Sequence, residues 1–325
     1  MKEVTVVIPN YNGMKYLKIC LDALRRQTLK DLVILVVDNG SEDDSVSFVR
    51  EQYPEAELIC LPENTGFCGA VNAGIRATKT PYVLLLNNDT EVFPDFCEEL
   101  LKGIKSRKKA FSVAGKLLQY HDKTKIDDAG NYYCALGWAF ARGKDRSAEL
   151  FEKPERIFSA CAGAAIYSME LLQKTGLFDE AHFAYLEDMD LGYRARIFGY
   201  ENWYLPSAKV YHVGSGTSGS RYNTFKTGYS ARNNVYLIHK NMPLFQVILN
   251  LPFLIMGFAV KGVFFQRKGL GAQYRKGIRQ GLALGYKREN KSKKIRFQWK
   301  HLGNYIRIQL ELWINLVRVV ISFLV

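Results

Sequence analysis

Residues 83–92 read VLLLNNDTEV. A valine and three leucines run straight into Asn87, Asn88 and Asp89. An apolar run of this length beside turn formers predicts a buried strand. Its abrupt polar end is either a plain turn or a carboxylate held at the lip of a sheet. The chain upstream repeats the pattern three times. The runs at 4–9 (VTVVIP), 32–37 (LVILVV) and 58–61 (LICL) lead into Pro9-Asn10-Tyr11-Asn12, Asp38-Asn39 and Glu63-Asn64. Between them, 15–26 place Leu17, Cys20, Leu21 and Leu24 at helical spacing, Val46 and Val49 mark a short helix, and 66–78 form a small-residue helix. Strand alternating with helix predicts an α/β fold, a Rossmann-like, mostly parallel sheet with helices on both faces. Ligands of such sheets bind beyond the carboxyl ends of the strands. Four polar ends on one edge therefore predict a site.

Residues 120–157 break this rhythm with polar residues and glycines, and read as a variable loop or hairpin over the site. Order returns with a strand at 158–168, a helix at 169–175, a helix through Leu191, Arg194 and Ile197, and strands near 201–205 and 208–213. The chain has 325 residues, 48% of them hydrophobic, which allows a full core and argues against global disorder. Its net charge of +13 is uneven. Residues 1–260 balance, whereas 261–301 hold 13 basic residues and one acid, Glu289. A neutral body with one basic segment implies an anionic partner, membrane or nucleic acid. The six cysteines form no CxxC pair and read as reduced core residues of a cytosolic chain. The opening MKEVTVVIPNYNG has too short an apolar run for a signal peptide.

No GxGxxG joins the first strand to its helix, and no GxxxxGK[ST] occurs. The first turn, PNYNG, instead offers Pro9 to fix the chain, Tyr11 to cover a flat base, and Asn12. Asp38 can accept an imide N–H of uracil or thymine, and with Asn39 and Ser41 can cap a helix over 41–51. In NTGFCGAVNAG, residues 64–74, Asn64, Gly66 and Asn72 sit around a helix start whose small residues admit a phosphate. Asp89, with Asn88 beside it, has the oxygen chemistry that Mg²⁺ or Mn²⁺ takes together with phosphate oxygens. Glu187, Asp188 and Asp190, in LEDMDLGYRAR, begin a helix. The helix dipole alone favours acids there, yet three carboxylates in four residues repel, and a general base would sit well among them. His212, beside the glycine-rich stretch at 214–220, is a candidate metal ligand whose loop closes over a donor.

Jointly, VVIPNYNGMKYLKICLDAL, LVVDNGSEDDS, NTGFCGAVNAGI, LLLNNDTEV, GAAIYSMELLQKTGLFDE, YLEDMDLGYRARIFGY and ARNNVYLIHKN resemble the inverting family-two glycosyltransferases of GT-A fold, most of all their bacterial rhamnosyltransferase-like branch. The likeness covers roughly residues 3–241. It implies that Pro9, Tyr11, Asn12, Asp38 and Asn72 hold the nucleotide. Asn39, Asn64, Gly66 and Asn88 join them as candidates at the strand ends. Asn88 and Asp89 match the metal-binding DxD region, Asp188 the base that deprotonates the acceptor, and His212 a metal-proximal histidine. The first DxD position is Asn87, not Asp, so the metal is expected to arrive with the donor. The implied reaction moves a sugar, rhamnose from dTDP-rhamnose on this likeness, to a lipid-linked or polysaccharide acceptor in cell-surface glycan synthesis.

The expected organisation is a catalytic domain at 1–240, with a nucleotide-sugar half to about 115 and an acceptor half from about 116. A basic, amphipathic, membrane-associating helical region follows at 241–325. Residues 244–260 carry no charge, near the short limit for a spanning helix. Spanning would put the basic segment outside, against the positive-inside rule. A helix lying in the anionic inner leaflet avoids that conflict, and 305–325 also look amphipathic. The expected location is the cytoplasmic side of the cell membrane, peripheral or monotopic. Two other classes stay open: a nucleic-acid-binding protein using the basic tail, less favoured because no known motif is there, and an inactive sugar-binding scaffold. Homo-oligomerisation stays open as well.

Overall fold

The computed structural model describes residues 2–214 and 222–324; most of the glycine-rich stretch singled out at 214–220 lies outside them. Strands β1 (Val4–Asn10), β2 (Leu32–Asp38), β3 (Glu57–Cys60) and β4 (Tyr82–Leu86) alternate with helices α1 (Met14–Arg25), α2 (Ser45–Gln52) and α3 (Gly66–Ala77). The chain continues through β5 (Thr90–Val92), α4 (Phe96–Lys105), β6 (Ala110–Gln119), β7 (Ile126–Asp128), β8 (Asn131–Cys134), β9 (Trp138–Ala141), β10 (Glu155–Ile157) and β11 (Ala164–Ser168). It then forms α5 (Met169–Thr175), a 3₁₀ turn at Glu180–His182, α6 (Glu187–Ile197), β12 (Glu201–His212) and α7 (Thr224–Asn241). Four further helices close it: α8 (Leu244–Arg267), α9 (Gly271–Tyr286), α10 (Arg288–Lys291) and α11 (Leu302–Leu324).

The main sheet runs β10-β12-β6-β11-β4-β1-β2-β3. β1, β2, β3 and β4 are mutually parallel, as is the pair β6 and β12. β11 lies antiparallel between β4 and β6 and joins the two parallel sets. Successive strand residues serve opposite faces. Val4, Val6 and Ile8 pack with Leu17, Leu21 and Leu24 of α1, while Val7 packs with Val71 and Ile75 of α3 on the other face. Both faces are covered, which is why these strands read as unbroken apolar runs.

Four expectations change. The helix expected from residue 41 begins at Ser45; Asp38 instead accepts the Ser41 N–H at 3.0 Å and closes a local turn. The two strands near 201–213 are one, β12, with a bulge between Tyr204 and Lys209. Of the stretch read as strand at 158–168, only Ala164–Ser168 is strand; Ser159 adds an isolated bridge to Asn131. Residues 120–157, read as a variable loop or hairpin, do contain a hairpin, β8 and β9, but it belongs to the core: Ile126, Ala129, Tyr133 and Cys134 are fully buried, and α11 backs it.

Helix α8 is built inside out. Its buried stripe is Gln246, Asn250, Leu254 and Gly257, whereas Leu244, Ile248, Leu251, Ile255 and Val263 are exposed. The inward amides are satisfied: Gln246 accepts from the Tyr193 hydroxyl, and Asn250 exchanges two 2.8 Å hydrogen bonds with Gln309 of α11. Helix α11 buries Tyr305, Ile308 and Leu312 in the core and exposes Leu310, Ile314 and Val317. A Cβ added at Gly257 would lie 2.1 Å from the Leu136 carbonyl oxygen. Gly257→Ala is therefore expected to push α8 off the hairpin and to lower the unfolding free energy by about 1–3 kcal/mol, read by urea titration. An unchanged midpoint would mean that this contact does not seat the helix.

Candidate functional site

The strand ends of β1, β2 and β4 open onto a cavity of about 930 Å³. Pro9, Asn10, Tyr11, Asn39, Asn64 and Gly66 line it, together with Asn87, Asn88, Asp89 and His212. Glu187, Asp188 and the loop 183–186 line the same cavity. The two acidic motifs, a hundred residues apart in sequence, thus face one space.

The nucleotide candidates separate into two groups. Asn88 donates to Asn10 Oδ1 at 2.7 Å, and Asn10 donates to Asp38 Oδ1 at 3.0 Å. Asn39 bonds Asn64, Gly66 and Thr65, which ties the β2 end to the start of α3. Asp38 and Asn12 are not in the lining: Asp38 is buried at 3% exposure, whereas Asn12 is exposed and its Oδ1 accepts the Glu42 N–H. Asn72 does not reach the cavity. Its amide is spent on the Phe178 backbone and Glu180, on the far side of α3.

Asp89 and His212 are neighbours, Oδ1 to Nε2 3.3 Å, because β5 and β12 pair at Thr90 and His212. His212 Nδ1 lies 2.8 Å from Asp127 Oδ2, and Lys144 pairs with the other oxygen of Asp127. Burial alone would lower the His212 pKa, but hydrogen bonds to Asp127 and Asp89 lift it to about 10. The ring therefore carries a charge between two carboxylates. Among the described residues no three His, Cys, Asp or Glu side chains form a ready metal cage.

The acids that open α6 have opposite fates. Burial raises both Glu187 and Asp188, and the Asp188 charge raises Glu187 further. Glu187 Oε2 is buried without a hydrogen-bond partner. Asp190, expected beside them as a supporting acid, points elsewhere: it is fully buried and takes hydrogen bonds from Lys240, Arg194 and Asn241. Burial would raise it, but Lys240 and Arg194 hold it far below the usual carboxylate range.

Phe183, Tyr185 and Leu186 have φ of 63°, 71° and 64°, a left-handed conformation that is costly for bulky side chains. Helix α7 holds them. Asn233 spreads its two N–H donors over the carbonyls of His182, Ala184 and Tyr185 at 2.7–2.9 Å, and Arg232 takes those of Ala181 and His182. Sequence reading missed this pair, although the ARNN stretch carried it. It also missed Asp127, Asp128 and Asn131, which fall in the segment taken for a variable loop.

Residues 5–176 match the family model described as glycosyl transferase family 2. The chain belongs to that family. This glycosyltransferase is 28% identical over 215 residues to glycosyltransferase GlyA of Streptococcus pneumoniae, covering 65% of the chain but only 29% of that protein's length. It is 27% identical over 237 residues to the N-acetylglucosaminyl-diphospho-decaprenol L-rhamnosyltransferase of Mycobacterium tuberculosis, covering 66% of the chain and 77% of that enzyme. Among solved structures, GalNAc-T7 with UDP, GalNAc and Mn²⁺ superposes with a TM-score of 0.59 at 15% identity, over 74% of this chain and 48% of that one. The shared fold is GT-A.

The glycosyltransferase's strained loop has a measurable dependence on α7. Asn233→Ala leaves buried carbonyls without donors, each costing about 1–3 kcal/mol. The variant is expected to lose at least about 2 kcal/mol in chemical denaturation. A loss under about 0.5 kcal/mol would show that the loop is held by something else.

Proposed function

We propose that this chain is a metal-dependent inverting glycosyltransferase that moves rhamnose from dTDP-rhamnose to a lipid-linked or polysaccharide acceptor. The observation that carries the reading is the single cavity shared by the β1–β4 strand ends, the Asp89–His212 pair and Asp188. Pro9, Tyr11, Asn39, Asn64, Gly66 and Asn88 hold the nucleotide there. Asp89 would supply one carboxylate oxygen and His212, on giving up its Nε2 proton as the cation arrives, one imidazole nitrogen, a donor pair that suits Mg²⁺ or Mn²⁺ together with diphosphate oxygens. The cation would neutralise the departing diphosphate as a Lewis acid. Asp188 accepts the proton of the acceptor hydroxyl. The acceptor oxygen bonds to the anomeric carbon as the bond to the diphosphate oxygen breaks, in line, and the configuration inverts. Support for a metal comes from the Mn²⁺ in the GalNAc-T7 structure, and for rhamnose from the name of the mycobacterial relative.

A thermal-shift screen of nucleotide-sugars, with and without Mn²⁺ or Mg²⁺, tests this. One donor is expected to raise Tm only with metal, and Asp188→Asn to keep that shift while losing turnover. The variant also has a pH signature. Asp188 titrates higher folded than unfolded, so its ionisation weakens the fold as pH rises above the ordinary carboxylate value of about 4. The ligand-free variant is therefore expected to gain in Tm over the parent from pH 5 to pH 8. Near-normal transfer by the variant would overturn the base assignment.

The acceptor reading rests on the outer faces of α8 and α11. The inward stripe of α8 is bonded to the catalytic body over several turns, which suits a helix lying in one leaflet better than one crossing it. The neighbouring basic segment would rest on anionic headgroups of the cytoplasmic leaflet, at about 1 kcal/mol per contacting Lys or Arg. Nucleic-acid binding explains the charge but not the apolar faces. Full-length protein is expected to float with phosphatidylglycerol vesicles and to stay partly bound in high salt. Leu251→Glu with Ile255→Glu should release it. Complete release of the parent by salt would reduce the contact to charge alone.

A further inference from the structure

We infer that Asp128 and Asn131 form the subsite that reads the transferred sugar, gripping neighbouring hydroxyls of a neutral hexose or deoxyhexose ring. The inference rests on the donor-site reading above. Both residues line the cavity, and neither is one of the proposed nucleotide residues or of the acid pair. Asp89, His212 and Asp188 line the same cavity. In an in-line displacement the sugar must stand between the leaving diphosphate and the base. Side chains in a wall shared with both groups are placed to meet the ring.

The pair has hydrogen-bonding capacity to spare. Asp128 is 5% exposed, and one oxygen accepts the Gly130 N–H at 2.6 Å. Its second oxygen and the Asn131 side-chain amide find no partner among the described residues. That oxygen is not among the sealed, unpartnered buried atoms, so it opens to the cavity, where a ligand hydroxyl can reach it. The support beneath is rigid. Gly130 turns at φ +105°, where a Cβ would sit 2.4 Å from the Ile157 side chain, and the Asn131 backbone is bonded to Phe158 and Ser159. A carboxylate that accepts and an amide that both donates and accepts, three residues apart on a fixed turn, match a vicinal diol.

Calorimetric titration of the full chain, with Mg²⁺ present, separates this subsite from the nucleotide site. The probes are dTDP, UDP and GDP, and the conjugates dTDP-rhamnose, UDP-glucose and GDP-mannose. For the pair that binds best, the ratio of conjugate Kd to diphosphate Kd is expected to rise at least about tenfold in Asp128→Asn, the size of one lost bond to a charged group, and at least about threefold in Asn131→Ala, the size of one lost neutral bond. Diphosphate affinity should hold, which also reports that each variant is folded. Asn131→Ala keeps the Asp128–Gly130 bond and guards against loss of the turn. If both variants keep the parent ratio, the subsite is wrong and the donor site stands. If the parent binds no diphosphate, the donor site itself falls, and this inference with it.

Discussion

The segment 183–186 keeps a strained backbone that hydrogen bonds from α7 hold in place. Three bulky residues in the left-handed region cost of order 1–3 kcal/mol each, against which the chain itself sets only short turn bonds, from Phe183 N–H to Glu180 and from Ala184 N–H to His182. The compensation comes from α7, where Asn233 and Arg232 gather the carbonyls of Ala181, His182, Ala184 and Tyr185, while the Phe183 carbonyl accepts the Cys68 N–H. Because Leu186 immediately precedes α6, the same contacts set where Glu187 and Asp188 enter the cavity. The far end of α7 repeats the theme: Lys240 bridges Asp179 and Asp190, and Asn241 takes the remaining Asp190 oxygen. One helix thus positions both the loop before the acids and the helix that carries them.

This arrangement divides four acids of similar chemistry into two kinds. Asp179 and Asp190 are buried against Lys240, with Lys293 or Arg194 added, and stay ionised far below the usual range. Glu187 and Asp188, three and two residues from Asp190, are half-buried in the cavity wall with no such cation among the described residues, and desolvation pushes them upward. Adjacent carboxylates whose environments drive them apart are the mark of an assigned acid or base. The paired acids fasten the scaffold, and the unpaired ones keep proton affinity close to neutrality.

The first ninety residues were legible because β1, β4 and most of β2 are buried on both faces and every strand ends in turn formers, so period and punctuation agreed even at the edge strand β3. Reading failed where side chains break the run for tertiary reasons. β6 is AFSVAGKLLQ, and its Lys116 looks like a surface residue. In the fold it is 1% exposed and gives its ammonium to the carbonyls of Ala148 and Leu150 and to Glu152. Asp127 and Asp128 were lost in the same way, as two acids in a polar, glycine-dotted stretch. Asn72 and Asp190 failed for the opposite reason. Each sits inside a correctly read motif, but helical rotation turns it away from the cavity, and motif spacing does not report which side of a helix faces a ligand.

Helix α8 shows how far composition can be pushed once packing is known. By composition it could be a membrane span or a soluble core helix. A core helix would bury its leucines and isoleucines, yet here the buried stripe is Gln246, Asn250, Leu254 and Gly257. A lone span would have to satisfy two amides within hydrocarbon, where an unmet polar group costs several kcal/mol. Turning those amides onto Tyr193, Tyr305 and Gln309 removes that cost and fixes the helix to the body. The apolar residues are then left outward, beside those of α11 and next to the basic segment. Water is a poor solvent for such a face, whereas the boundary between headgroups and acyl chains suits both the apolar surface and the charge at its edge.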